Sequence, residues 1–318
     1  MNSSVVGVVV LCGLWASACS PVLDNKAVTA EREKPVRRYD NFLATVGDGG
    51  QLVSAGGNGV MVTSTDAGKT WTRVELASPS AVVAMTRCPD HTLVALDFYH
   101  KVWVGDGRGA GWQARKVEGN FNPLAITCDP RNRLWVVGSF STILSSSDQG
   151  KSWQAQPPGQ DAILTAVQWM DADHGLVAGE FGTLLVTSDG GATWSKQAGL
   201  PAEFYPYSMM FSDTQNGWMS SQAGTIIHTM DGGKTWAAQV NPSAAPIYSF
   251  VRMGGRLIGV GGGGQILKLE GNEWHAVPNL PQFPAYLAGA TPLAPSSLLV
   301  AGAAGALNVV DMTSEVSR

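Results

Sequence analysis

The sequence is poor in charge and in helical periodicity. Only 14% of its 318 residues are charged and the formal net charge is −4, so it lacks the basic surface that binds nucleic acid. The four cysteines form no CxxC pair and no His/Cys cluster, so neither a metal site nor a cofactor is predicted. The near absence of helical periodicity excludes an all-α fold and leaves an all-β chain, which 38 glycines in tight turns would suit.

A short box, Ser/Thr-x-Asp-x-Gly-x-Thr/Ser-Trp, is present in four copies. The tryptophans that end the second, third and fourth copies are 41 and 42 residues apart, and the first lies 82 residues before the second. A period near 40 residues with short strands indicates a β-propeller. The box aspartates are Asp66, Asp148, Asp189 and Asp231, and the tryptophans are Trp71, Trp153, Trp194 and Trp236.

A pair of short apolar runs precedes each box position, and seven such pairs begin 40 to 42 residues apart. They predict an all-β, seven-bladed propeller with four-stranded blades over residues 34–318. The last pair has no outer strand after it, so residues 34–40 are expected to supply that strand and close the ring. The seven pairs span residues 52–64, 93–105, 134–146, 176–187, 217–229, 257–269 and 298–310.

We interpret each box as the hairpin between the third and fourth strands of a blade. Its aspartate would accept backbone N–H groups, and its glycine would supply a positive φ. A catalytic role is disfavoured because carboxylates at equivalent positions around a ring lie too far apart to act as a pair. The four aspartates are therefore predicted to be structural.

The first residues differ in kind from the repeats. An apolar run over residues 5–15 and small residues before Cys19 resemble a bacterial lipoprotein signal over residues 1–19. Cys19 would then be acylated and residues 20–33 would form a polar tether. Ser20 in place of Asp favours the outer membrane, so the expected location is the cell envelope, lipid-anchored and facing the periplasm. Ordinary secretion with cleavage after Ala18 is the alternative.

Two further cysteines, Cys88 and Cys128, lie 40 residues apart at near-equivalent positions of adjacent blades. Such positions are often too far apart for a disulfide. Buried free thiols are therefore predicted, although an oxidising compartment would permit a bond.

The boxes resemble the Asp-box (BNR) repeats of sialidases and related propellers. The longer unit at residues 164–194, with a second copy at 208–236, resembles the repeat of the photosystem II assembly and stability factor family. That resemblance implies a seven-bladed propeller in a lumenal or periplasmic space that holds a membrane-protein subunit during assembly. The expected partner is therefore a membrane-protein subunit or a peptide segment of one.

Loops on the face away from the boxes carry many aromatic residues, which are common in protein-binding surfaces. The alternative for each is that it caps the end of the core. Tyr248 and Tyr286 belong to the same set of loops. The predicted binding residues are Tyr99, His100, Phe140, Glu180, Phe181, Tyr205 and Tyr207.

Glycosidase chemistry needs two carboxyl groups close together, whereas Asp97, Glu180 and Glu203 come from different blades. The arginines are scattered, and the Arg-Ile-Pro motif of sialidases is missing. The sequence thus favours a non-catalytic scaffold that binds protein. A carbohydrate-binding or sialidase-like glycosidase propeller is the alternative.

Overall fold

The computed structural model describes residues 25–156, 161–283 and 285–312. A short helix, α1 (Lys26–Glu33), belongs to a unit separate from the body that begins at Pro35. It falls within the predicted tether. In the described ranges, no helix is long and apolar enough to cross a membrane. Cys19 and the predicted signal lie outside the described residues.

The body contains seven antiparallel sheets. Those of blades 1 to 3 are β1 (Phe42–Asp48), β2 (Gln51–Gly56), β3 (Val60–Ser64) and β4 (Thr72–Glu75); β5 (Val82–Arg87), β6 (Leu93–Asp97), β7 (Lys101–Gly105) and β8 (Gln113–Lys116); and β9 (Pro123–Cys128), β10 (Leu134–Gly138), β11 (Ile143–Ser146) and β12 (Gln154–Ala155).

The remaining blades repeat the order. They are β13 (Leu164–Trp169), β14 (Gly175–Gly179), β15 (Thr183–Thr187) and β16 (Ser195–Lys196); β17 (Pro206–Phe211), β18 (Gly217–Ser221), β19 (Ile226–Thr229) and β20 (Ala237–Gln239); β21 (Ile247–Met253), β22 (Arg256–Gly261), β23 (Ile266–Glu270) and β24 (Glu273–Ala276); and β25 (Leu287–Ala294), β26 (Ser297–Gly302) and β27 (Leu307–Asp311). The seven-bladed all-β propeller is confirmed.

The apolar core lies between blades, because each sheet buries both faces against its neighbours. Each of seven core clusters joins two adjacent blades, and the blade 7–blade 1 junction has its own cluster around Phe42, Val62 and Ala301. The box tryptophans pack at these junctions; Trp71 packs against that last cluster. Because a buried junction also joins blades 7 and 1, both faces of every sheet are covered and the ring is closed.

The prediction that residues 34–40 form a closing strand is wrong. In the described part of blade 7 the sheet has three strands, and residues 34–40 form turns rather than a strand. Asp40 explains why: its carboxylate accepts the backbone N–H of Arg37 (2.8 Å) and pairs with Arg73 (2.9 Å), which turns the chain. Closure instead uses the Asp40 carbonyl, which accepts the N–H of Gly305 (2.8 Å), and the apolar cluster at this junction.

The prediction of free thiols is also wrong, because Cys88 and Cys128 form a disulfide. Cys88 follows β5 and Cys128 ends β9, the innermost strands of neighbouring blades, and their Cα atoms are 5.2 Å apart. Innermost strands are where adjacent blades come closest. That radial position, which sequence spacing does not reveal, brings the sulfurs within bonding reach.

Candidate binding face

The propeller has two faces. We call the face that carries the turns between the second and third strands of each blade the turn face; the other, with the Asp boxes, is the box face. The entry to each innermost strand lies on the turn face, as the bond from the Gln222 N–H in such a turn to the Tyr205 carbonyl (3.1 Å) shows. All the predicted binding residues lie on the turn face.

On the box face, the four boxes share one geometry. In the third box, Asp189 Oδ1 accepts the N–H of Thr193 (2.9 Å) and the hydroxyl of Thr187 (2.7 Å), and Oδ2 accepts the Thr193 hydroxyl (2.6 Å). These bonds, that from the Thr193 hydroxyl foremost, lower the pKa of Asp189 to about 2. Both carboxylate oxygens are thus engaged within the turn, as the predicted structural role requires.

One turn-face position carries an exposed aromatic ring in each of three successive blades. Tyr99, Phe140 and Phe181 occupy equivalent places in blades 2, 3 and 4, with 48%, 60% and 63% of their surface exposed. The equivalent residues of blades 1 and 6 are Asn58 and Gly263. In the described residues, no ring contact joins the three aromatics, so each stands on its own turn and the three follow the ring as an arc. We call them the aromatic arc.

Two residues of the aromatic arc adopt a left-handed backbone conformation. Phe140 has φ 58° and Phe181 has φ 56°, a region that is rare for bulky L-residues. Such a conformation costs about 1–2 kcal/mol relative to an ordinary one. The rings recover little of that cost by packing, because both are mostly exposed.

The side chains of His100 and Glu180 contact neighbouring parts of the chain rather than projecting into solvent. The ring of His100 packs edge-on against Phe121 at 5.4 Å between centroids. Glu180 Oε1 accepts the backbone N–H of Ile163 (2.9 Å), which ties the blade 4 turn to the entry of β13. Both side chains are half-buried.

Tyr205 and Tyr207 line a central channel of about 830 Å³. Tyr207 contacts Tyr248 at 4.6 Å, and Tyr248 contacts Tyr286 at 5.6 Å. Burial, aided by Tyr248 and Tyr286, raises the pKa of Tyr207; burial and Glu180 raise that of Tyr205. Tyr205 and Tyr207, whose pKa values are raised, therefore keep their hydroxyl protons at neutral pH.

Tyr248 and Tyr286, which belong to the set of loop aromatics found in the sequence, line this channel. Sequence reasoning missed other lining residues on the innermost strands, among them Leu43, Val83 and Leu124. Their shared signal is position, since each is the second residue of its blade's innermost strand. Reading the same position in every repeat would have found them.

The lining of the channel is uncharged. Among the described residues that form it, there is no Asp, Glu, Lys, Arg or His, so this part of the chain places no carboxylate pair or arginine cluster in the channel. Asp97 is fully buried and accepts the N–H of Tyr99 (2.7 Å) and Nε1 of Trp103 (2.8 Å). Over the same residues, no group of three or more His, Cys, Asp or Glu side chains could hold a metal ion.

Comparison with known proteins supports the resemblance seen in the repeats. Residues 158–244, which include all the strands of blades 4 and 5, match the family described as photosynthesis system II assembly factor YCF48. No protein of curated function matches the sequence significantly.

Solved structures match over nearly the whole chain. YCF48 bound to a D1 peptide has 16% identity and a TM-score of 0.70 over 87% of this chain and 95% of that one. YCF48 from Cyanidioschyzon merolae has 14% identity and a TM-score of 0.69 over 86% and 96%. A streptogramin B lyase has 11% identity and a TM-score of 0.72 over 86% and 95%.

At these identities the structural matches establish the fold alone, and they include an enzyme. The family match over residues 158–244 adds the repeat type. Together they confirm a propeller with BNR-type repeats that resembles the photosystem II assembly factor YCF48.

Proposed function

We propose that this protein is a non-catalytic scaffold that binds a segment of another polypeptide on its turn face during assembly. The observation that carries the proposal is the pair Phe140 and Phe181, exposed aromatic rings held in an unfavourable backbone conformation. Strain of this kind concentrates where function requires it. Exposed aromatic rings are also characteristic of protein-binding hot spots.

The proposed partner is a membrane-protein subunit or a peptide segment of one. Two findings support it: the repeat match to an assembly factor family and the similar fold of YCF48 bound to a D1 peptide. The uncharged channel beside the aromatic arc fits a protein segment better than a glycoside substrate, because hydrolysis would need paired carboxylates.

The proposed location is the bacterial cell envelope, with a lipid on Cys19 holding the protein at the outer membrane and facing the periplasm. The disulfide between Cys88 and Cys128 supports export, because disulfides persist in oxidising compartments and are rare in the cytosol. The apolar run and small residues before Cys19 support the lipid anchor.

The test replaces Phe140 and Phe181 together with glycine. Because glycine adopts positive φ without strain, the double variant should be at least as stable as wild type. It should nevertheless bind its partner more weakly by at least the ~2 kcal/mol of a hot spot. Pull-down from envelope extract with quantitative mass spectrometry, beside thermal unfolding, measures both effects.

A matched control removes exposed apolar groups away from the turn face: Met230→Ser in a box together with Val309→Ser on β27. This control should recover the same partners as wild type. Equal recovery by the glycine variant and wild type would place the binding surface elsewhere. Loss of binding by the control alone would contradict the assignment of the turn face.

A further inference from the structure

The channel has two chemically different walls at one level. The second residue of each innermost strand lies at that level. Blades 1 to 3 place aliphatic side chains there, Leu43, Val83 and Leu124, which we call the aliphatic wall. Blades 5 and 6 place Tyr207 and Tyr248 there, and Tyr286 precedes the strand of blade 7; these three form the tyrosine wall.

The tyrosine wall offers unused hydrogen-bond donors. The Tyr286 hydroxyl donates to Asn41 Oδ1 (2.8 Å). Within the described residues, the hydroxyls of Tyr207 and Tyr248 make no hydrogen bond, although their rings are held in place by contact with each other. The raised pKa of Tyr207 keeps its proton on the oxygen. The hydroxyl groups of Tyr207 and Tyr248 can therefore donate hydrogen bonds to a ligand in this channel.

The same channel penalises a charged ligand. Because no lining residue in the described ranges carries a charge, a charged side chain would lose its hydration without gaining an ion pair. The aliphatic wall offers dispersion contacts to an apolar group instead. Carbonyl oxygens of a peptide backbone would satisfy the tyrosine donors, whereas a hydrocarbon chain would leave them unpaired.

We infer that the channel receives an uncharged, apolar stretch of the partner's chain, its side chains against the aliphatic wall and its carbonyl oxygens accepting from Tyr207 and Tyr248. The volume of about 830 Å³ is enough for a short peptide segment. The inference rests on the proposed function and adds the substrate class to it: the aromatic arc contacts the partner outside the channel, and the channel selects an uncharged sequence.

The experiment starts with a library of random short peptides displayed on phage and selected on the wild-type protein. Enriched peptides should share an uncharged apolar run. As end-blocked synthetic peptides they are titrated by fluorescence anisotropy. Tyr207→Phe and Tyr248→Phe each remove one hydroxyl and keep the ring, so each should weaken binding about 2- to 10-fold.

A charge swap tests the channel directly. Ala288→Glu places a carboxylate in the channel lining and should weaken binding of the uncharged peptide at least about tenfold. A peptide with one lysine in its apolar run should regain affinity for this variant. Ala238→Glu adds the same charge at an exposed position of the outer strand β20, away from the channel, and should leave both affinities unchanged. Thermal unfolding confirms that each variant is folded.

The outcomes separate this inference from the proposed function. Peptides that need Phe140 and Phe181 but tolerate Ala288→Glu and the tyrosine substitutions would overturn the channel inference and leave the turn-face scaffold standing. Enrichment of charged peptides that enter the channel would also overturn it. If the wild-type protein enriches no peptide at all, both the inference and the proposed function fail.

Discussion

Asp129 connects the backbone of blade 3 to a tryptophan cluster, and its removal should be costly. The side chain is fully buried after the end of β9. It accepts the backbone N–H groups of Arg131 (2.8 Å) and Arg133 (2.9 Å), Nε of Arg133 (2.6 Å) and Nε1 of Trp135 (3.1 Å). Trp135 in turn contacts Trp169 and Trp194 at 5.0 and 5.8 Å.

In Asp129→Ala, the buried Nε1 of Trp135 loses its acceptor, which costs about 1–3 kcal/mol. The guanidinium of Arg133 loses a partner whose side chain is fully buried, and breaking a buried pair costs about 3–5 kcal/mol. Because Arg133 is itself partly exposed, water recovers part of that loss. We therefore expect the free energy of unfolding to fall by about 3–5 kcal/mol in total.

Urea unfolding followed by tryptophan fluorescence measures this loss, since three indole rings report on the junction of blades 3 and 4. Asp129→Asn keeps an acceptor oxygen and should cost less than alanine. In a double-mutant cycle, Trp135→Phe removes the unpaired donor, so the double variant should lose less than the sum of the singles. An Asp129→Ala protein within about 1 kcal/mol of wild type would refute this account of the buried network.

Three shorter predictions follow. Asp189→Ala should lower Tm and leave partner binding unchanged. Because folding lowers the Asp189 pKa from 3.8 to about 2, the stability that its carboxylate contributes to the fold is fully present above pH 3.8 and is lost as pH falls through about 2. Loss of binding at unchanged Tm would contradict the structural role. His228 stacks on Trp218 at 4.4 Å and burial lowers its pKa from 6.5. The unfolded chain therefore binds the proton more readily, so stability should fall as pH drops below 6.5; His228→Phe should reduce that slope in pH-dependent urea unfolding. Mass spectrometry of the mature protein should find an acylated N-terminal Cys19, and an unmodified start at that residue would exclude the anchor.

The number of blades could be predicted from the sequence because each repeat contains the same local signals. A pair of apolar runs occurs in all seven units. A box glycine with positive φ, such as Gly191 at 81°, and a tryptophan five residues after the aspartate occur in four of them. These features depend only on neighbours in sequence. The structure of residues 34–40 differs from the predicted closing strand because it depends on the ion pair between Asp40 and Arg73, which are 33 positions apart. No repeat pattern encodes that pair.

The candidate site was only partly predictable for a related reason. Equal spacing placed Tyr99, Phe140 and Phe181 on equivalent turns, and the structure has them there. Spacing could not reveal the positive φ of the two phenylalanines, because turns of this shape favour glycine or asparagine. Spacing also could not give the distance of a residue from the propeller axis. That distance determines whether Cys88 and Cys128 can form a disulfide and which residues meet in the channel.

The asymmetry of the turn face is the strongest reason to assign it a function. In a propeller every blade packs against the next, and the apolar core positions provide that packing at all seven junctions. Packing does not demand that, among the described residues, this turn position is aromatic only in blades 2 to 4, or that tyrosines line the channel only from blades 5 to 7. A repeat that serves stability alone would have no reason to differ at these positions. A ligand that contacts one side of the ring differently from the other would account for the difference between the blades.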